Sequence, residues 1–134
     1  MIYLDGSSLT IDQVVEIARN KAEVGLSEEA KKNIQISRDI VEKNIEEKKV
    51  IYGLNTGFGK FVNVAISENE LDKLQLNLIL SDAVGVGDPF KQDVTRAIML
   101  LRVNALAKGF SGIRLSTVET MIAMLNKGVH PVIP

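Results

Sequence analysis

Residues 94–112, VTRAIMLLRVNALAKGFSG, carry the pattern that decides the fold class. Apolar residues such as Val94, Ile98 and Leu106 recur along this stretch at the spacing of a helical face rather than in the alternation of a strand. Gly109 follows where such a helix would end. The stretch therefore predicts a strongly apolar helix.

Four further segments with helical periodicity flank this stretch, and each begins with residues that favour a helix start. The predicted starts, in chain order, are Thr10 to Gln13, Ser27 with Glu28, Ser67 to Glu70, and Ser116 to Glu119. Gly25 is placed to end the first of these helices and Gly128 to end the last. The sequence thus predicts five helices.

The predicted fold class is mainly α, a single helical domain over residues 1–134 with short extended segments at both ends. Ile2 to Leu4 suits a short strand, and His130 to Pro134 is extended because its two prolines exclude a helix. A domain rarely stops on such an apolar extended stretch. We therefore expect the chain to be the front part of a longer protein.

Composition excludes several classes of function. Sixteen basic against 17 acidic residues give a net charge of −1, which argues against a nucleic-acid partner. No apolar run approaches the roughly 18 residues of a membrane span, and the N-terminus lacks the features of a signal peptide. The absence of cysteine excludes disulfides and favours the cytoplasm. A single histidine without cysteine argues against a zinc site, so no metal is expected.

The glycine-rich stretch YGLNTGFGKF, residues 52–61, does not fit a nucleotide-binding loop. Leu54 and Phe61 stand where a P-loop requires glycine and a hydroxyl residue. Val62 and Phe90 stand where the third glycine of a dinucleotide fingerprint would follow the two Gly-x-Gly sequences. A Ser-His-Asp triad lacks support as well, because the chain contains no Gly-x-Ser-x-Gly.

Tyr52, at the head of this stretch, admits two interpretations from residue chemistry alone. Its ring can pack and its hydroxyl can form a hydrogen bond, which is a structural role. Alternatively it is a general acid or base, which requires nearby positive charge or donors because a phenol ordinarily titrates near 10. The neighbouring glycines would let a substrate approach the backbone closely. These observations leave both interpretations open.

Several stretches together resemble the histidine/phenylalanine ammonia-lyase family, and bacterial histidine ammonia-lyases in particular. They are YGLNTGFG (52–59), LDGSSLT (4–10), LQLNLILSDAVGVGDPF (74–90), RVNALAKGFSGIR (102–114) and NKGVHPVIP (126–134). The resemblance extends over essentially the whole chain, in order and spacing.

The resemblance implies a large helical homotetramer that acts on a small amino acid. It also implies that a methylideneimidazolone, formed from an internal Ala-Ser-Gly, is the electrophile. Tyr52 would be the catalytic base on a mobile inner loop, and Asn55, Gly59 and Asp82 would bind the substrate. The family's Ala-Ser-Gly follows the segment that resembles HPVIP, and this chain contains no Ala-Ser-Gly. We therefore expect the chain alone to be inactive and its Tyr52 loop to be disordered or in a non-catalytic pose.

Asp82 departs from the family pattern, in which bacterial histidine ammonia-lyases carry histidine at this position of the pocket. A carboxylate there could pair with a protonated imidazole, whereas it would be a poor neighbour for a phenyl ring. Alternatively, Asp82 turns away and caps the turn at Gly85. Histidine remains the first expected substrate, with a related polar amino acid as the alternative.

The sequence leaves three functions open. The first is an ammonia-lyase that converts histidine to urocanate, and the second is an aminomutase or related lyase that uses the same electrophile and tyrosine. The third is a helical interaction module without catalysis. For a chain of this length alone, the apolar helices from Val94 to Leu125 are expected to leave apolar surface exposed and to drive self-association.

Overall fold

The structure is a computed structural model that describes residues 1–49, 51 and 68–134. Over these residues the chain forms five helices and two short strands, which confirms the predicted mainly helical fold. In chain order they are β1 (Ile2–Leu4), α1 (Ile11–Ala18), β2 (Val24–Leu26), α2 (Glu28–Glu46), α3 (Glu68–Asp82), α4 (Gln92–Ala107) and α5 (Leu115–Asn126).

The chain divides into two compact units. Unit 1 combines residues Met1–Val41 with Gly87–Pro134, and it therefore contains β1, α1, β2, most of α2, α4 and α5. Unit 2 is Glu42–Val86 and contains the end of α2 and all of α3.

The core of unit 1 is aliphatic, as a chain without tryptophan requires. α4 supplies its largest share, with Met99, Leu100, Val103, Leu106 and Ala107 all buried. The other elements add Leu4, Ile17, Val24, Leu26, Ala30, Ile34, Val118, Ile122 and Leu125. The stretch that decides the fold class is thus also the stretch around which the core is built.

A two-stranded parallel sheet forms where the sequence predicts only β1. β2 pairs with β1 in a register that places Val24 opposite Ile2 and Leu26 opposite Leu4. The side chain of Asn126 holds β2 from α5, because its Nδ2 donates to the Val24 carbonyl at 2.8 Å and its Oδ1 accepts from the Val24 amide at 3.0 Å. Because Asn126 is 102 residues from Val24, no local sequence pattern predicts β2.

The end of α1 differs from the prediction that Gly25 terminates it. The helix stops at Ala18, and Gly25 lies inside β2. Lys21 then adopts a left-handed conformation with φ of 57°, which turns the chain back towards the sheet. The predicted capping box at the other end is confirmed, since Thr10 and Gln13 each bond the other's backbone amide at 3.3 and 3.0 Å.

The start of α5 also differs from the prediction. The helix begins at Leu115 with Arg114 as its N-cap residue, so Ser116 is already helical and Ser116 to Glu119 is not the capping box that the sequence predicts. The reason lies upstream, where the Gly112 amide donates to Ser37 Oγ of α2 at 2.9 Å and fixes where the chain enters the helix.

Two other helix ends follow the prediction. Ser27 caps α2, because the Ala30 amide donates to its hydroxyl oxygen at 3.1 Å. Gly128 ends α5 with φ of 70°. Its amide bonds the Leu125 carbonyl, and the Val129 amide bonds the Met124 carbonyl, which is the double hydrogen bond of a Schellman motif.

A turn before α1 fixes the N-terminal segment against α4. Asp5 Oδ1 accepts from the amides of Ser7 and Ser8 at 2.7 and 2.8 Å, and these bonds lower the pKa of its carboxyl to about 2. The Gly6 amide donates to Asn104 Oδ1 at 3.2 Å. The LDGSSLT stretch is therefore a structural turn in this fold.

Gly109 and Gly128 form a matched pair for a stability measurement. Both have positive φ, 76° and 70°, but a Cβ on Gly109 would lie 2.6 Å from the Asn33 carbonyl carbon of α2, while a Cβ on Gly128 would meet nothing within 4 Å. We expect Gly128→Ala to cost about 1–2 kcal/mol of unfolding free energy, from backbone strain alone. Gly109→Ala should cost clearly more, and equal shifts of the urea midpoint would contradict this packing.

Candidate functional site

Three of the four predicted site residues lie outside the described part of the chain. Tyr52, Asn55 and Gly59 fall within residues 52–67, and the expectation about the order of their loop falls there as well. Their roles stay predictions. Asp82 lies within the described residues, so its surroundings define the candidate site.

Asp82 is the last residue of α3, and its side chain is exposed. Ser81 Oγ donates to the Leu78 carbonyl at 2.8 Å and lies 3.4 Å from Asp82 Oδ1, which sets the hydroxyl beside the carboxylate. The turn that follows is closed by backbone, because the Val84 amide donates to the Asp82 carbonyl at 2.9 Å. The Asp82 carboxylate therefore stays available to solvent or to a ligand.

The electrostatics at this helix end favour a cation. The C-terminus of a helix carries the negative pole of the backbone dipole, and a carboxylate there adds a full negative charge. No basic residue lies in the last turn of α3 to offset it. This arrangement is unfavourable for the helix itself and attracts a positively charged group.

The described part of unit 2 leaves many of its apolar side chains uncovered. Leu76, Ile79 and Leu80 of α3 are 56–67% exposed, and Val84 and Val86 of the following loop are 82–86% exposed. The sequence predicts α3 as an amphipathic helix but gives no measure of this exposure. The surface around Asp82 is thus apolar, which would strengthen any charge interaction that a covering segment shields from water.

His130 offers no site of its own in the described residues. Its side chain is half-buried, and its Nδ1 lies 3.2 Å from the Pro131 carbonyl oxygen. Within residues 1–49, 51 and 68–134, no group of three or more metal-binding side chains is assembled. Within the same residues, no helix is both long and apolar enough to cross a membrane.

A groove of about 600 Å³ lies elsewhere, between α2 and residues 108–112 of unit 1. Its walls include Ile36 and Ile40 of α2, and Phe110 stands at its edge with 89% exposure. Asp82, the one predicted site residue that the structure describes, is not among its lining residues.

A scan against protein-family models matches residues 9–134 to the aromatic amino acid lyase family. The match covers most of the chain. The chain belongs to the aromatic amino acid lyase family.

Individual relatives point within this family to histidine ammonia-lyases. The chain is 59% identical over 133 residues to the histidine ammonia-lyase of Caldanaerobacter subterraneus subsp. tengcongensis, covering 99% of this chain and 26% of that protein. The structure of histidine ammonia-lyase from Trypanosoma cruzi superposes with a TM-score of 0.91 at 40% identity, over 99% of this chain and 25% of that one. Tyrosine aminomutase from Streptomyces globisporus superposes with a TM-score of 0.92 at 37% identity, over the same shares.

The chain thus spans about a quarter of the length of the curated relatives it matches. Its five helices correspond to one part of those larger proteins.

Proposed function

We propose that this chain is the N-terminal part of an enzyme, below called the parent enzyme, that converts L-histidine to urocanate and ammonia. The observation that carries the proposal is identity of 56–59% to histidine ammonia-lyases over 99% of this chain. The parent enzyme would be a homotetramer, as the family resemblance implies, and the absence of cysteine from this chain favours a cytoplasmic location.

The electrophile of the reaction has to come from outside this chain. Histidine ammonia-lyases use a methylideneimidazolone formed from Ala-Ser-Gly, and the chain contains no such tripeptide. The group would activate the amino acid for loss of ammonia when the parent enzyme carries it. The residues of this chain do not fit as its source, so the roles proposed here concern proton transfer and substrate binding.

Tyr52 is proposed as the base that removes the substrate β-proton. A phenol near its ordinary pKa of about 10 is mostly protonated at neutral pH, so it would act only where positive charge or donors stabilise the phenolate. The glycines beside it, including Gly59, allow backbone to approach the substrate closely, and Asn55 supplies an amide that can bond polar groups.

Asp82 is proposed as the residue that selects a substrate with a basic side chain. Its carboxylate is exposed at the negative end of α3, in apolar surroundings that favour pairing with an imidazolium. A phenyl ring would leave this carboxylate unpaired on closure of the site, which is costly. This preference supports histidine as the substrate over amino acids with a phenyl side chain.

Neutralising Asp82 tests its role in binding. In the parent enzyme, Asp82→Asn should lower kcat/KM for histidine by about ten- to a hundredfold, the value of a charge-assisted hydrogen bond. The same change should not destabilise α3, because a negative charge at a helix C-terminus is unfavourable. The control is Asp12→Asn in the first turn of α1, which should leave kcat/KM unchanged. Equal kinetic effects of the two variants would remove Asp82 from the site.

An aminomutase is the second candidate, because the tyrosine aminomutase structure superposes as well as that of the lyase. Product analysis of the parent enzyme on L-histidine separates the two. Urocanate with an equal amount of ammonia supports the lyase, whereas a β-amino acid without ammonia release supports the mutase. A reading frame that encodes no Ala-Ser-Gly beyond residue 134 would contradict both.

A further inference from the structure

α4 carries apolar side chains on two opposite faces. One face is buried in the core of unit 1 through Leu100 and Val103, both 0% exposed. The other follows the spacing i, i+4, i+7 with Val94, Ile98 and Leu101, which are 40, 40 and 52% exposed. We name these three residues the outer stripe. A helix that is apolar on opposite faces belongs in the interior of a protein.

The outer stripe continues beyond the helix. Phe90, just before α4, is 54% exposed, and its amide donates to the Ile133 carbonyl at 2.9 Å. This hydrogen bond holds the segment that contains Val132, 74% exposed, beside the residue that precedes α4. Several exposed apolar side chains therefore occur along the stripe and near its start, and exposed apolar surface of this kind indicates a binding partner.

The two flanks of the outer stripe differ in charge. On a helical projection, Lys91 and Arg102 lie on one flank, and both are exposed. Asp93 lies on the other flank, where its carboxylate pairs at 3.0 Å with Nε of Arg19, the residue just after α1. A partner matched to this face would therefore bring apolar residues for the stripe and carboxylates for the cationic flank.

We propose that the outer stripe is the docking face for an amphipathic helix, apolar on one side with acidic residues along one flank, from the part of the parent enzyme outside this chain. The proposal rests on the proposed function, because it requires the longer chain that relatives four times this length indicate. A second copy fits less well. An antiparallel, two-fold pairing of α4 would bring Lys91 and Arg102 against the same cations of the other copy.

Cysteine accessibility in the parent enzyme tests the docking. After replacement of native cysteines, the maleimide labelling rate of Leu101→Cys is compared with that of the matched control Lys32→Cys, an exposed position on α2. We expect the thiol of Leu101→Cys to react at least about 100-fold more slowly than that of Lys32→Cys. The reason is that the reagent can reach position 101 only when the docked helix unfolds locally. Equal labelling rates would overturn the proposal.

Oxidative crosslinking distinguishes a stripe covered by the same subunit from a stripe covered by a second copy. Leu101→Cys should give no covalent subunit dimers, whereas efficient dimer formation would assign the stripe to a contact between copies and overturn the proposal. Turnover of histidine by the Lys32→Cys enzyme is measured in parallel. Protection of position 101 without any turnover would refute the proposed function and leave the docking face supported.

Discussion

Replacing Tyr52 with phenylalanine in the parent enzyme is expected to lower kcat by about 10²–10⁴-fold, the usual contribution of a positioned general base. Phenylalanine keeps the ring and loses only the hydroxyl that would accept the proton. Because the change removes chemistry rather than binding, KM for histidine should change by no more than a few fold. Steady-state kinetics of urocanate formation provide the measurement.

The chain offers a matched control for this variant, since it contains only two tyrosines. Tyr3 is 60% exposed on β1, and Tyr3→Phe should leave kcat unchanged. If Tyr52→Phe retained more than half of the wild-type kcat, the base would have to be another residue. Tyr52 would then have the structural role that its residue chemistry also allows.

Replacing Arg96 with methionine is expected to reduce the unfolding free energy by about 3–5 kcal/mol, the cost of leaving buried polar groups without their charged partner. Arg96 is 1% exposed, and its guanidinium bonds three main-chain carbonyls. Nε donates to Ala18 at 3.1 Å, Nη2 to Ile17 at 2.9 Å and Nη1 to Leu125 at 2.8 Å. Methionine fills the space but leaves carbonyls at the end of α1 unsatisfied.

The position of Arg96 explains why a buried charge is stable here. The C-terminal ends of α1 and α5 both direct their negative poles at the guanidinium, so two partial negative charges take the place of a carboxylate partner.

Arg96→Lys keeps the positive charge but loses the planar set of donors. Its unfolding free energy should therefore lie between those of the wild type and Arg96→Met. Arg102→Met, exposed on the same helix, is the control and should change the urea midpoint little. Equal shifts for Arg96→Met and Arg102→Met would contradict the role assigned to the guanidinium.

The parts of the fold that sequence predicts correctly are those with local causes. The Thr10 capping box, the Ser27 cap and the Gly128 terminus each depend on residues within one turn, and all three are confirmed. The missed features have distant causes. β2 depends on Asn126, 102 residues from Val24, and the early end of α1 is satisfied by Arg96, 78 residues from Ala18. No local pattern reports such contacts.

The candidate site follows a different logic. Residue chemistry alone leaves Tyr52 open between a packing role and a catalytic one, and only the family resemblance favours catalysis. The structure shows that α3 extends as far as Asp82, which places the carboxylate at the negative pole of the helix. Because the negative pole of α3 lies beside the Asp82 carboxylate, we interpret this departure from the family pattern as a determinant of substrate specificity.

The ratio of kcat/KM for histidine to that for phenylalanine, measured on the parent enzyme, tests the central claim most directly. Pairing of an imidazolium with Asp82, together with the cost of burying that carboxylate against a phenyl ring, predicts a ratio of about 100 or more in favour of histidine. A ratio of one or less would contradict both the proposed substrate and the role of Asp82.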